Sequence, residues 1–215
     1  MMTIATAELL LCGPQVRFPS RKILDELRQT LLDHKKFCEY LIATLKGLPY
    51  ILQELTAFDN TLKRVPSLAS NDFLLQWLEC GNLSQPVDTL PNISSSPFTI
   101  ILQIALFLQH LDKSDAGPDY SLAIQSLQQY GVQGFCTGFL TAAAIGFSGN
   151  EERLAEFVAT SLRLATCIGA YVDHNASSSR VGALSVRWRQ GQFSRSQVEN
   201  ILTGFTHVRI LWLHV

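Results

Sequence analysis

The stretch Val132-Gln133-Gly134-Phe135-Cys136-Thr137-Gly138-Phe139-Leu140-Thr141-Ala142-Ala143-Ala144-Ile145-Gly146 decides how the rest of the 215-residue chain is read. A short strand around Val132–Cys136 runs into a Gly-flanked turn, and the small residues Thr141–Gly146 continue as a helix able to pack closely on a sheet. Gly134-Phe135-Cys136-Thr137-Gly138 has the Gly-x-nucleophile-x-Gly form. In α/β acyl-transfer folds this spacing builds a sharp strand-to-helix turn that lifts the nucleophile above the sheet edge. The demand is steric: the central residue holds a strained backbone, so its neighbours two positions away must be small. The helix that begins just past the turn directs its positive end at the side chain, where anionic sulfur is favoured. The backbone N–H of Thr137 is then a natural oxyanion donor. Two glycines around any residue also arise by chance, and a buried structural cysteine is the competing reading of the same pentapeptide.

Upstream, Glu8–Cys12 reads as a short strand followed by the turn Gly13-Pro14. Residues 21–46 read as one long helix, because Ile23, Leu24, Leu27, Leu31, Leu32, Leu41, Ile42 and Leu45 recur at spacings of three and four. Gly47 and Pro49 are expected to end it, with a second helix to about Lys63. Pro, Ser and Asn clusters make residues 66–96 a loop-rich crossover around a helical patch at Phe73–Leu78. Ser96-Pro97 opens an apolar helix over 98–111, with proline in its first turn. After the elbow, a helix runs from Glu151 to about Val172, its acidic start suiting the helix dipole. Val181–Trp188 alternates like a strand, and Ser194–Phe205 reads as a short helix with Ser194 as its cap. Strands separated by helices predict an α/β layered fold, a small and mainly parallel sheet under a helix-rich cover.

Apolar residues make up 47% of the chain and charged residues 16%, a composition that fills a core. A net charge of −1 favours neither nucleic acid nor an anionic membrane, and no partner of either kind is expected. The apolar runs Leu9–Cys12 and Ile100–Leu108 fall short of a spanning helix, and the first also of a signal core; a cytoplasmic location is expected. Cys12, Cys38, Cys80, Cys136 and Cys167 include no Cys-x-x-Cys pair, so neither a zinc ribbon nor a redox motif is expected. All but Cys136 read as buried, small apolar residues.

Three segments carry a resemblance: Ser96-Pro97-Phe98 with Leu102-Gln103-Ile104-Ala105; Val132–Leu140 with Ala142-Ala143-Ala144; and Leu162-Arg163-Leu164-Ala165 with Ile168-Gly169-Ala170-Tyr171-Val172-Asp173. Together they resemble the starter-unit acyl-carrier-protein transacylase (SAT) domains at the N-terminus of fungal non-reducing polyketide synthases. The likeness covers roughly residues 8–205. It implies a malonyl-transacylase fold, an α/β-hydrolase-like subdomain carrying a small ferredoxin-like one, here without most or all of the latter. It also implies a transferase of polyketide biosynthesis with Cys136 as nucleophile and no bound cofactor. Cys136 would take an acyl group from coenzyme A or a carrier thioester and pass it to the phosphopantetheine thiol of an acyl carrier protein. Gln15 lies in Cys12-Gly13-Pro14-Gln15, where the family shows Gly-Asp-Gln. Its N–H would be the second oxyanion donor beside that of Thr137; an ordinary exposed turn residue is the other reading. Ile168 aligns with the arginine that holds a carboxylate in malonyl transacylases, so an uncharged acyl group is expected. Arg163, a turn earlier, reads as structural.

Family members continue past this chain's last residue to a histidine that serves as general base. Thr206–Val215 does not resemble the family's next strand and reads as an altered frame or a truncated gene. An incomplete domain is therefore expected over 1–205 and a divergent tail over 206–215. The general base is unassigned: His174, His207 and His214 are candidates, none at the family's position. The alternative is a non-catalytic remnant or interaction module of a polyketide synthase. A cysteine-dependent thioester hydrolase is a third reading.

Overall fold

The computed structural model describes residues 10–14, 18–64, 73–113, 127, 131–175 and 197. In chain order these form β1 (Leu10–Cys12), α1 (Arg21–Asp33), α2 (Lys35–Phe58), a 3-10 turn (Asn60–Arg64), α3 (Phe73–Cys80) and a second 3-10 turn (Val87–Thr89). Then come α4 (Asn92–Lys113), β2 (Val132–Gly134), α5 (Gly138–Phe147) and α6 (Glu151–Asn175). β1 and β2 pair in parallel, Leu10 opposite Val132 and Cys12 opposite Gly134. A two-stranded parallel sheet under helices agrees with the α/β expectation, with the described residues mostly helical. Met1–Ser177 forms one compact unit and Ser178–Val215 another. Apart from Gln197, the strand expected at Val181–Trp188, the helix expected at Ser194–Phe205 and the boundary at 205/206 lie outside the described residues.

The single helix expected over 21–46 is two helices, and the break falls at His34, not at Gly47 or Pro49. His34 leaves the helical region (φ −82°, ψ 67°). Its imidazole spans two elements, Nδ1 lying 3.1 Å from Glu151 at the start of α6 and Nε2 3.3 Å from Asp112 near the end of α4. Tertiary contact, invisible to periodicity, sets this corner. α2 then runs straight through Gly47 and Pro49. Those two residues cost about 4 kcal/mol as helix interior. Leu41, Leu45, Leu48 and Leu52 are all buried on the same side of the helix, and at roughly 2 kcal/mol each their burial outweighs the breakers.

α4 is the core helix, and it starts earlier than Ser96-Pro97 suggests. Asn92 and Ile93 donate their N–H groups to the two carboxylate oxygens of Asp173, both at 2.9 Å. An acid at a helix start stabilises it by about 1 kcal/mol. α6 comes close enough to do this because Gly169 has no Cβ; one built there would lie under 3.0 Å from the backbone of Asn92. Pro97 therefore sits inside the helix, beyond the first turn. By length and composition α4 is apolar enough to cross a membrane, yet 78% of its most apolar window is buried within the protein. It is a core helix here. Phe98 is its hub, stacked edge-on by Trp77 at 4.9 Å and by Phe73 at 5.6 Å. α3, which carries both rings, is closed by Arg28: its guanidinium donates to the carbonyls of Trp77, Leu78 and Glu79 at 2.8–2.9 Å, the last acceptors a helix leaves open.

Candidate active site

β2 ends at Gly134, two residues before the expected end, and Phe135 N–H still bonds back to Cys12 O at 3.0 Å. The chain then reverses. Cys136 takes φ +57°, the only non-glycine residue with positive φ among the described residues. Thr137 is already helical (φ −55°, ψ −34°). Three successive i→i+3 bonds wind the entry to α5: Gly138 N–H to Phe135 O, Phe139 N–H to Cys136 O and Leu140 N–H to Thr137 O, at 3.0–3.1 Å. This is the strand–turn–helix that the pentapeptide predicts.

Both flanking glycines are required. A Cβ at Gly134 would lie under 3.0 Å from Gly138 O and Phe139 Cα, and one at Gly138 equally close to the carbonyls of Cys12 and Gly13. These neighbours are backbone, which cannot give way like a side chain. Gly138 thus sets α5 directly on the end of β1, so the strand before the elbow and the strand beside it meet at one point.

The thiol of Cys136 is exposed. Its described polar neighbour is the Thr137 hydroxyl, 4.0 Å away. The Thr137 N–H donates to no described residue and stands at the head of α5. Gln15 lies outside the described residues, as do His207 and His214. His174 belongs elsewhere: it is in the last turn of α6, near the carboxylate of Asp59. The Thr61 hydroxyl and N–H, with help from the Tyr171 hydroxyl and His174, hold that carboxyl below its usual range. Burial and the neighbouring Asp59 carboxylate push the Tyr171 hydroxyl up.

The other thiols differ. Burial raises Cys12 from 9.0 to about 11 and also pushes up Cys38 and Cys167. Cys80, expected to be buried, is exposed because α3 ends there and the chain leaves the core. Among the five, only Cys80 and Cys136 are exposed residues.

One pair of residues is joined only by the fold. Thr141, wholly buried in α5, donates its hydroxyl to Gln103 Oε1 at 2.6 Å, and Gln103 Nε2 donates to Gly13 O at 2.8 Å. The available signal was a lone amide inside the apolar run of α4. Beside the same loop an apolar cleft of about 210 Å³ is lined by Pro14, Phe18, Ile23, Leu102, Gln103 and Leu106. On α6, Leu164, Ile168 and Val172 form an exposed apolar stripe at successive i+4 positions. Arg163 is exposed as well.

A model of the family described as "Starter unit:ACP transacylase in aflatoxin biosynthesis" matches residues 22–209. The non-reducing polyketide synthase esdpA of Penicillium shearii is 32% identical over 97% of this chain, and 5-methylorsellinic acid synthase of Aspergillus terreus is 35% identical over 93%. Methylphloroacetophenone synthase of Cladonia uncialis is 31% identical over 86%. The chain spans about a tenth of the length of these relatives.

Proposed function

Because the chain belongs to the starter unit:ACP transacylase family, we propose that it transfers an acyl starter group through a thioester on Cys136 to an acyl carrier protein of a polyketide synthase. The observation that carries this reading is the left-handed backbone of Cys136, held between two glycines that no larger residue could replace. Such strain persists only where the surroundings impose it, and it concentrates at reacting groups.

The sulfur of Cys136 adds to the carbonyl carbon of a donor thioester, with coenzyme A or a fatty-acid carrier as its leaving group. The Thr137 N–H and that of Gln15 stabilise the tetrahedral oxyanion, the thiolate of the donor departs, and an acyl-Cys136 thioester remains. The phosphopantetheine thiol of the carrier then attacks this thioester and regenerates Cys136. No bound cofactor takes part. Ile168, aligned where a carboxylate clamp would stand, and the apolar cleft at Pro14 suit an uncharged acyl group. The fold is that of the α/β-hydrolase-like part of a malonyl transacylase. A general base is unassigned, and its loss lowers a rate by about 10²–10⁴.

Intact-protein mass after incubation with acetyl- and hexanoyl-coenzyme A tests this, using a Cys80→Ser background to remove the second exposed thiol. One added acyl group, absent in Cys136→Ala, is the expected result. A folded protein that gains no mass favours the remnant or interaction module. Preferential loading of malonyl over acetyl would overturn the assignment of Ile168.

A further inference from the structure

We propose that Gln103 is a positioning residue: its amide, oriented by Thr141, holds the carbonyl of Gly13 and so registers the loop after β1 against the helix that presents Cys136. This rests on the transferase reading and names a residue through which its oxyanion site is held.

Gln103 lies on α4 between buried Leu102 and Ile104. An amide placed among apolar groups is unfavourable unless both its ends are bonded. Here both are, and in one sense only. Gly13 O can only accept, so it must face the amide nitrogen, and the Thr141 hydroxyl satisfies the oxygen that remains. Gly13 O also rests against Gly138, where no Cβ would fit. The carbonyl is therefore wedged between the elbow glycine and the glutamine. A trans-planar Gly13–Pro14 peptide and a proline ring that sets φ near about −65° carry that restraint on to Pro14. Thr141 belongs to the helix that presents Cys136. One side chain thus registers the loop after β1 against the nucleophile. An N–H aimed at a developing oxyanion acts only if it is held in place beforehand.

The test compares two reactions of Cys136 in the Cys80→Ser protein, each followed by intact mass. Acylation by hexanoyl-coenzyme A forms an oxyanion; alkylation by iodoacetamide, a displacement at a saturated carbon, forms none. Gln103→Leu and Thr141→Val are expected to slow acylation about tenfold or more and to leave alkylation within about twofold. Thr141→Ser, which keeps the hydroxyl, should acylate at the parent rate. Should Gln103→Leu not fold, Gln103→Met and Thr141→Val carry the same comparison. Unchanged acylation in these variants overturns the proposal, as does a parallel fall in both reactions or a Thr141→Ser as slow as Thr141→Val. A parent protein that alkylates but never acylates defeats the transferase reading and this inference together. An acylating parent with an indifferent Gln103 defeats this inference alone.

Discussion

Two neighbouring strands each deliver a cysteine, and the two thiols have opposite character. Cys12 closes β1 opposite Gly134, buried, with its thiol pushed up to about 11. Cys136 follows β2 by two residues and is exposed on a left-handed backbone. The local sequences Leu10-Leu11-Cys12-Gly13 and Gly134-Phe135-Cys136-Thr137 are both apolar and glycine-flanked. What separates them is that α5 folds back over the end of the sheet. Its Gly138 seals the carbonyl of Cys12 inside the contact, while the same turn throws Cys136 outward. One act of packing buries the first sulfur and exposes the second.

The strongest way to break this contrast is Gly138→Ala. The added methyl group meets two backbone carbonyls, Cys12 and Gly13, and neither can move without disturbing the β1–β2 pairing. A loss of about 3–4 kcal/mol is expected from urea unfolding. The buried Cys12 should then become open to alkylation under native conditions. Gly146→Ala in the same helix is the control, since nothing lies within 4 Å of its added Cβ; helix propensity predicts a gain of up to about 1 kcal/mol. Equal effects at the two glycines would mean that the close approach at the elbow is not what holds the turn.

The elbow was legible in the sequence because its requirement is local: two glycines four residues apart, a strand before them and small residues after. The paired strands and the helices flanking them were legible for similar reasons. The points that were not legible depend on residues far apart in the chain. α4 begins at Asn92 because Asp173 caps it from α6, so no local signal marks its start. The corner at His34 answers to Asp112 and Glu151. Pro49 is overridden by leucines whose burial needs a partner helix. Around Cys136, the strand, left-handed turn and helix follow the order that the pentapeptide predicts. The Thr141–Gln103–Gly13 relay joins three segments that only the fold brings together.

The buried thiol can be tested by pH. Folding raises the Cys12 thiol from 9.0 to about 11, so the native state favours the neutral form. The unfolded chain loses this proton first, and stability falls as pH rises from about 9 towards 11. Below about 9 the contribution is fully present. The full shift corresponds to about 2–3 kcal/mol. Cys38 and Cys167 act in the same direction, so the informative quantity is a difference. The drop in urea midpoint between pH 8 and pH 10.5 should be smaller in Cys12→Ala than in the parent. Identical drops would show that Cys12 ionises as freely in the fold as out of it, which would erase half of the contrast.

The other half, the strain at Cys136, has the smallest expected effect. A side chain at φ +57° costs about 1 kcal/mol relative to glycine in the same conformation. Cys136→Ala keeps the Cβ and therefore the strain, whereas Cys136→Gly releases it. Glycine also gains freedom in the unfolded chain, which offsets about 0.5 kcal/mol of the release. Cys136→Gly should thus be more stable than Cys136→Ala by roughly 0.5 kcal/mol in urea unfolding. Such a gain means that the residue at the elbow is held against its own backbone preference by the packing of Gly134 and Gly138. It would also mean that the sequence keeps a cysteine there at a cost in stability, as a reacting thiol requires and a space-filling one does not. An alanine variant as stable as the glycine one would show a relaxed turn, and the difference between Cys12 and Cys136 would reduce to burial alone.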